Sequence, residues 1–152
     1  MNWNWDEYRG AFENGNKVPM TFASITDGTT NTVFFAEVCI GGQNTTGKVK
    51  GGIVFLGGNF NNGHTTSWAN FYFTPAVCAA VRGSNGDIAP GYTVATNVER
   101  LPGYRWADGH DEHGPFWTIL PPNGPNCAVG DESSCRIAAS SYHSGGVNVG
   151  MG

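Results

Sequence analysis

Four neighbouring residues, His110-Asp111-Glu112-His113, supply two imidazoles and two carboxylates, the donor types that hold Zn2+. Their spacing argues against such a site. The H-E-x-x-H pattern sets two histidines on one helical face, and this tetrad has neither that interval nor a helical setting. A solvated polar loop is the expected state. Ca2+ through Asp108, Asp111 and Glu112 is a minor option, without an EF-hand pattern behind it. His143, flanked by Ser141 and Ser144, has the chemistry of a general base. Acyl transfer also needs an orienting acid and an oxyanion hole. No G-x-S-x-G elbow lifts a serine into reach. His143 is therefore expected to hydrogen-bond the adjoining turn and pack the terminal strand. Asp27 and Glu37 are the only acids of an otherwise apolar stretch, and two carboxylates are what a glycosidase uses. Trp3, Trp5, Trp68, Tyr72, Trp106 and Trp117 offer faces for sugar stacking. With so few Leu and Ile to build a core, most of these rings should be interior. No catalytic set emerges; no enzymatic activity, no resident metal and no cofactor are expected.

The elements that carry these residues read as mostly β. Asp27-Gly28 is a turn signal, and Thr29, Thr30 or Asn31 can cap the next element. Val33 to Ile40 is β-branched and aromatic and predicts a strand, with a short helix from Asp27 into that strand as the alternative. Ile53-Val54-Phe55-Leu56 predicts a short buried strand, and Tyr92 to Ala95 another. Trp68 to Phe73 alternates in strand fashion, whereas Ala76 to Val81 is ambiguous between helix and strand. Gly103 to Gly109 and Phe116 to Leu120 read as two strands joined by the loop His110 to Pro115. A Pro/Gly/Ser-rich excursion, Pro121 to Ser134, comes next. The end has a Gly145-Gly146 turn and then Val147-Asn148-Val149, alternating like a strand. The sum is a single β-rich α+β domain over residues 1–152, with an antiparallel sheet and long Gly/Asn-rich loops.

Cys39, Cys78, Cys127 and Cys135 contain no CxxC pair, which disfavours a zinc ribbon and leaves three possible disulfide pairings. A local Cys127–Cys135 staple across the Pro/Gly/Ser excursion is favoured. Cys39 and Cys78 would then pair with each other or remain buried thiols.

Composition narrows the function classes. A net charge of −4 argues against a nucleic-acid partner. Only 13% of residues are charged, about half the usual share. The surface must then be carried by Asn, Thr, Ser and Gly, a composition common in secreted and cell-surface proteins. The opening Met1 to Asp6 lacks the basic and apolar regions of a secretory leader. Asn44-Thr45-Thr46 is the sole N-x-S/T sequon and sits in a polar loop.

Several segments, taken in order, form a pattern: Asp27-Gly28-Thr29-Thr30-Asn31-Thr32 with its apolar run and Glu37; Arg105-Trp106-Ala107-Asp108-Gly109; Leu120-Pro121-Pro122-Asn123 with Cys127; and Ser141-Tyr142-His143-Ser144-Gly145-Gly146-Val147-Asn148-Val149. They resemble the signature blocks of the DUF1559 family of pilin-like secreted proteins, best known from planctomycete bacteria. The resemblance spans residues 20–152. It implies a type IV pilin-like or type II secretion pseudopilin-like architecture: an N-terminal helix in a membrane or filament, and a β-rich head facing outward. The chain looks like that head, with the leader and apolar helix absent and the family's next Asp-Gly falling just past Gly152. The resemblance implies structural roles for Asp27, Gly28, Asn31, Thr32, Glu37, Arg105, Trp106, Asp108, Gly109, His143, Gly145, Gly146 and Asn148. Asp27 and Glu37 would then cap and make buried hydrogen bonds rather than cut sugars. Secretion pseudopilins can hold Ca2+ in head loops, the one cofactor the resemblance leaves open. Expected partners are proteins, through self-assembly or other pilin-like subunits, with membrane contact only through the absent helix. The expected location is extracellular or at the cell surface, including the periplasmic side of a secretion apparatus. The alternative is a module that binds extracellular glycan or another envelope component.

Overall fold

The computed structural model describes residues 21–56, 75–105, 107, 110, 112–129 and 135–152. The chain divides into one unit that includes residues 21–36 and 148–152, and a second running Glu37–Val147. Six strands are described: β1 Val33–Ala36, β2 Val54–Phe55, β3 Thr93–Val94, β4 Cys127–Ala128, β5 Cys135–Arg136 and β6 Val149–Met151. The one α-helix among the described residues, α1, is a single turn at Pro75–Ala79. Proline at its first position loses nothing there, because that N–H has no helical partner in any case.

In the Glu37–Val147 unit the strands lie in the order β3-β2-β4-β5. β2 pairs antiparallel with β3 and parallel with β4, and β4 pairs antiparallel with β5. The sheet is thus mixed, where an antiparallel one was expected. The apolar run Ile53 to Leu56 explains the parallel pair, since such a strand is covered on both faces. Successive residues point to opposite faces. Val54, Leu56, Cys127 and Val129 join Cys78, Val81, Leu120 and Ala138 in one cluster. Ile53, Ala128, Cys135 and Ile137 join Ala95 and Leu101 in another, with Phe55 packed against it.

This alternation corrects the disulfide assignment. The bond is Cys78–Cys127, not Cys127–Cys135. Ala128 is the register partner of Cys135, and Cys127 that of Arg136. Cys127 therefore faces the first cluster, where α1 delivers Cys78, while Cys135 faces the second. Cys39 and Cys135 are buried thiols.

Other expectations shift as well. The Pro/Gly/Ser excursion contains an inner strand, β4. Gly103 to Arg105 is a turn, with Gly103 at φ 71°, and no strand forms over Phe116 to Leu120. The latter closes in a turn with Leu120 N–H on the Trp117 carbonyl (3.2 Å). The ambiguous segment Ala76 to Val81 is helical as far as Ala79, in α1, and turns at Ala80 and Val81, and Tyr92 to Ala95 supplies β3. The described core is aliphatic rather than aromatic: Phe22, Phe35, Tyr92, Tyr104 and Tyr142 are exposed. Trp3, Trp5, Trp68, Tyr72 and Trp106 lie outside the described residues, as does the strand expected over Trp68 to Phe73.

In the smaller unit β1 and β6 form an antiparallel ribbon, with Val33 opposite Met151, Phe35 opposite Gly150 and Ala36 opposite Val149. Phe35 lies across Gly150, where an added Cβ would sit 3.5 Å from it. The chain reaches β1 through a 3-10 turn, Thr29–Asn31. No helix among the described residues is long and apolar enough to cross a membrane.

Candidate functional site

The first signature block begins as a folded-back turn. Gly28 adopts φ 80°, a conformation that L side chains avoid. No side chain caps the 3-10 turn beside it. Asn31 and Thr32 instead donate backwards, Asn31 Nδ2 to the Asp27 carbonyl (2.9 Å) and Thr32 Oγ1 to the Gly28 carbonyl (3.0 Å). Asp27 itself is exposed rather than buried. The Thr29 carbonyl accepts the N–H of Gly152 (3.0 Å), so the turn also holds the end of β6.

The densest polar arrangement lies in the Glu37–Val147 unit, where the residues after β1 meet those before β6. Ser140 N–H donates to the Glu37 carbonyl (2.8 Å), and Cys39 N–H donates to Ser140 Oγ (2.9 Å). The side chains continue the seam: His143 Nε2 lies 2.9 Å from Glu37 Oε2. That contact requires the ring proton on Nε2 when the imidazole is neutral. Both side chains are partly exposed, at 48% and 38%. Lys50 Nζ donates to the Ser141 carbonyl and lies 5.8 Å from the centroid of the Tyr142 ring. Partial burial, and then the nearby Cys39 thiol, push the ionisation of Tyr142 upward.

An acid thus orients His143, one condition for a general base. Ser141 is buried, and its hydroxyl accepts the backbone N–H of His143 (3.4 Å), turning it toward the main chain. Gly145 is exposed, Gly146 sits at φ 115°, and Asn148 is exposed ahead of β6. Arg105 pairs with Glu99 (3.0 Å) at the surface. Trp106, Asp108 and Gly109 lie outside the described residues.

The His110 to His113 loop is not the solvated loop expected. Glu112 and His113 are buried, at 5% and 3% exposure, while His110 is exposed and Asp111 lies outside the described residues. His113 anchors the loop, its carbonyl accepting from Gly103 N–H (2.8 Å) and its Nδ1 lying 3.4 Å from the Leu101 carbonyl. Among the described residues no three His, Cys, Asp or Glu side chains are grouped as a metal site. Asn44, the sequon residue, is exposed in the 3-10 turn Gln43–Thr45.

Two asparagines to which the sequence assigns no role of their own prove central. Asn126, fully buried, gives its amide to the Gly52 carbonyl (2.8 Å) and takes the Ala138 N–H (2.9 Å). Asn123 takes the Ser141 N–H on Oδ1 (2.9 Å) and gives its own N–H to the Ala139 carbonyl (2.8 Å). Asn123 stood in the Leu-Pro-Pro-Asn block without an assigned role, and Asn126 follows Pro125 with no motif around it; the signal was only that asparagine offers a donor and an acceptor on one short arm.

A family model described as a protein of unknown function, DUF1559, matches residues 2–152, and the chain belongs to that family. No curated protein and no solved structure matches it.

Proposed function

We propose that this DUF1559 chain is a non-enzymatic, extracellular structural protein, the pilin-like head of a surface or filament-forming subunit. The observation that carries the reading is the use made of the first and last signature blocks. Their side chains close a turn and link Glu37 to His143, and their backbones pair as β1 and β6. They serve as framework, and the Ser141 hydroxyl turns to the backbone N–H of His143. The Cys78–Cys127 bond supports an oxidising compartment, because structural disulfides persist outside the cytosol. With few charges available, contacts between subunits would rest on aromatic and backbone groups. Partners would be copies of this protein or other pilin-like subunits. Negative-stain images of native material should show filaments that antibody against this head decorates. A strictly monomeric full-length native protein would overturn the reading.

A second reading, an extracellular glycan-binding module, is favoured by one observation. Tyr142 is 68% exposed beside the Lys50 ammonium, an apolar ring next to a hydrogen-bond donor. It predicts that polysaccharide changes the tyrosine and tryptophan emission of the native protein, with Tyr142→Ala abolishing the change. A flat titration removes it.

A further inference from the structure

Asn85-Gly86 and Asn123-Gly124 share a sequence and a left-handed asparagine, and differ in what restrains them. Asn85 is at φ 57° and Asn123 at φ 60°. Asn85 and Gly86, both with positive φ, are the central pair of a tight turn closed by Asp87 N–H on the Ser84 carbonyl (3.0 Å). That geometry is the type I′ turn, for which Asn-Gly is the favoured pair. Both residues are exposed. An added Cβ on Gly86 would meet nothing within 4 Å, so the space beside its backbone is open. Among the described residues no hydrogen bond holds the Asn85 side chain.

Asn123 is held from three sides. Its Oδ1 takes the Ser141 N–H, its N–H goes to the Ala139 carbonyl, and its carbonyl accepts from Arg82. The next nitrogen along the chain, that of Gly124, donates to the Pro121 carbonyl (2.9 Å), and Gly124 is buried.

We propose that Asn85-Gly86 is a self-modifying site at which the folded protein deamidates and lengthens its own backbone. The Gly86 amide nitrogen attacks Cγ of Asn85. The bond from Cγ to the side-chain nitrogen breaks, and ammonia leaves with the proton given up by the Gly86 amide. The five-membered imide then takes up one water. Opening at the Cγ side gives aspartate; opening at the α-carbonyl gives isoaspartate, with one extra methylene in the main chain. Either product gains a carboxylate. The turn rests on the segment Gly47 to Val49. Val49 N–H donates to the Gly86 carbonyl (2.9 Å), Ile88 N–H donates to the Gly47 carbonyl (2.7 Å), and Lys48 pairs with Asp87. An added methylene between Asn85 and Gly86 moves the Gly86 carbonyl off the Val49 N–H. Aspartate in the unaltered chain leaves it in place.

The test is ageing of the native protein in mildly alkaline buffer, with subsequent peptide mapping by fragmentation that separates aspartate from isoaspartate. Asn85 should convert, with isoaspartate among the products, while Asn123 converts about tenfold or more slowly, because at least one hydrogen bond must open first. In denaturant the two rates should converge. Hydrogen exchange at the Val49 amide should accelerate in the isoaspartyl fraction and stay unchanged in an Asn85→Asp variant. Conversion of Asn123 at the rate of Asn85 in the folded protein overturns the proposal. So does an Asn85 that remains an amide when the denatured chain converts.

Discussion

Breaking the Cys78–Cys127 bond should remove a large part of the stability of the Glu37–Val147 unit. The two residues are 49 apart in sequence. The loop-closure expression, applied to that span, gives about 4 kcal/mol at 25 °C. A domain of this size is stable by about 5–15 kcal/mol, so the loss is a quarter or more of the total. The clean perturbation is the paired Cys78→Ala, Cys127→Ala variant, which keeps the site apolar. Both sulfurs lie in the cluster with Val54, Leu56 and Val129, where serine would add an unpaired hydroxyl. For a urea slope of about 2 kcal/mol/M, the midpoint should fall by about 2 M. A local Cys127–Cys135 loop would yield about 2.5 kcal/mol by the same expression, too close for stability alone to separate the connectivities. Peptide mapping without reductant separates them directly. A Cys127–Cys135 linked peptide, or a midpoint unmoved by the paired substitution, would refute the reasoning from the sheet faces.

Asn126→Ala strips a partner from two buried backbone groups, the Gly52 carbonyl and the Ala138 N–H, and should cost about 2–4 kcal/mol in a denaturant titration. Asn126→Asp keeps the acceptor but, when ionised, sets a buried carboxylate against the Gly52 carbonyl. At neutral and high pH it should therefore cost at least as much as Asn126→Ala, and it should recover part of that at low pH, where the protonated acid can donate. The Glu37–His143 contact is partly exposed and should contribute less than about 1 kcal/mol, read as the coupling energy of a Glu37→Gln, His143→Ala double-mutant cycle. A coupling several times larger would show that the seam is a cooperative lock rather than a surface pair. Tyr142 ionises later in the folded state than in the unfolded chain, so the folded state holds its proton longer. Its contribution is complete below the unfolded tyrosine range, near pH 10, and is lost as pH rises through the folded value. Tyr142→Phe should therefore flatten the alkaline limb of the stability profile, tracked by the denaturation midpoint from about pH 8 to 11.

What could be read in the sequence was whatever a local pattern encodes. The strand expected over Val33 to Ile40 forms over Val33–Ala36, that over Ile53 to Leu56 at Val54–Phe55, and that over Tyr92 to Ala95 at Thr93–Val94. Asp27-Gly28 became a turn with Gly28 at positive φ. β4 and β5 were hidden because two residues carry no period. Their membership in the sheet comes from β2, which lies more than 70 positions upstream of β4 and pairs with it in parallel. The disulfide fell into the same blind spot. Nearness in sequence favoured Cys135 as the partner of Cys127, and the alternation of faces gave it to Cys78 instead. Aromatic residues near Tyr104 and Trp117 imitated strands, but the positive φ of Gly103 and the turn at Leu120 bend those segments. The Glu37–His143 pair spans 106 positions, and nothing local in either block announces the other.

The abundance of Asn, Ser and Thr carries a physical lesson beyond surface composition. Strands two residues long make few ladder hydrogen bonds, and the loops between them are rich in proline, which donates none. Buried carbonyls and N–H groups still require partners. Small polar side chains meet that need here: Asn126 between Gly52 and Ala138, Asn123 beneath Ser141, Ser140 under Cys39, and Thr45 Oγ1 between Gly42 and Gly51. Each stands where a longer strand would have supplied a neighbouring peptide group. The residues that suggested a solvated surface are thus partly the interior scaffolding of a sheet too short to satisfy itself. The cost of deleting them should therefore track burial and not residue type. Asn126 should rank far above exposed Asn44, although both are asparagines in polar segments. A denaturant series in which Asn126→Ala and Asn44→Ala cost the same would break that argument.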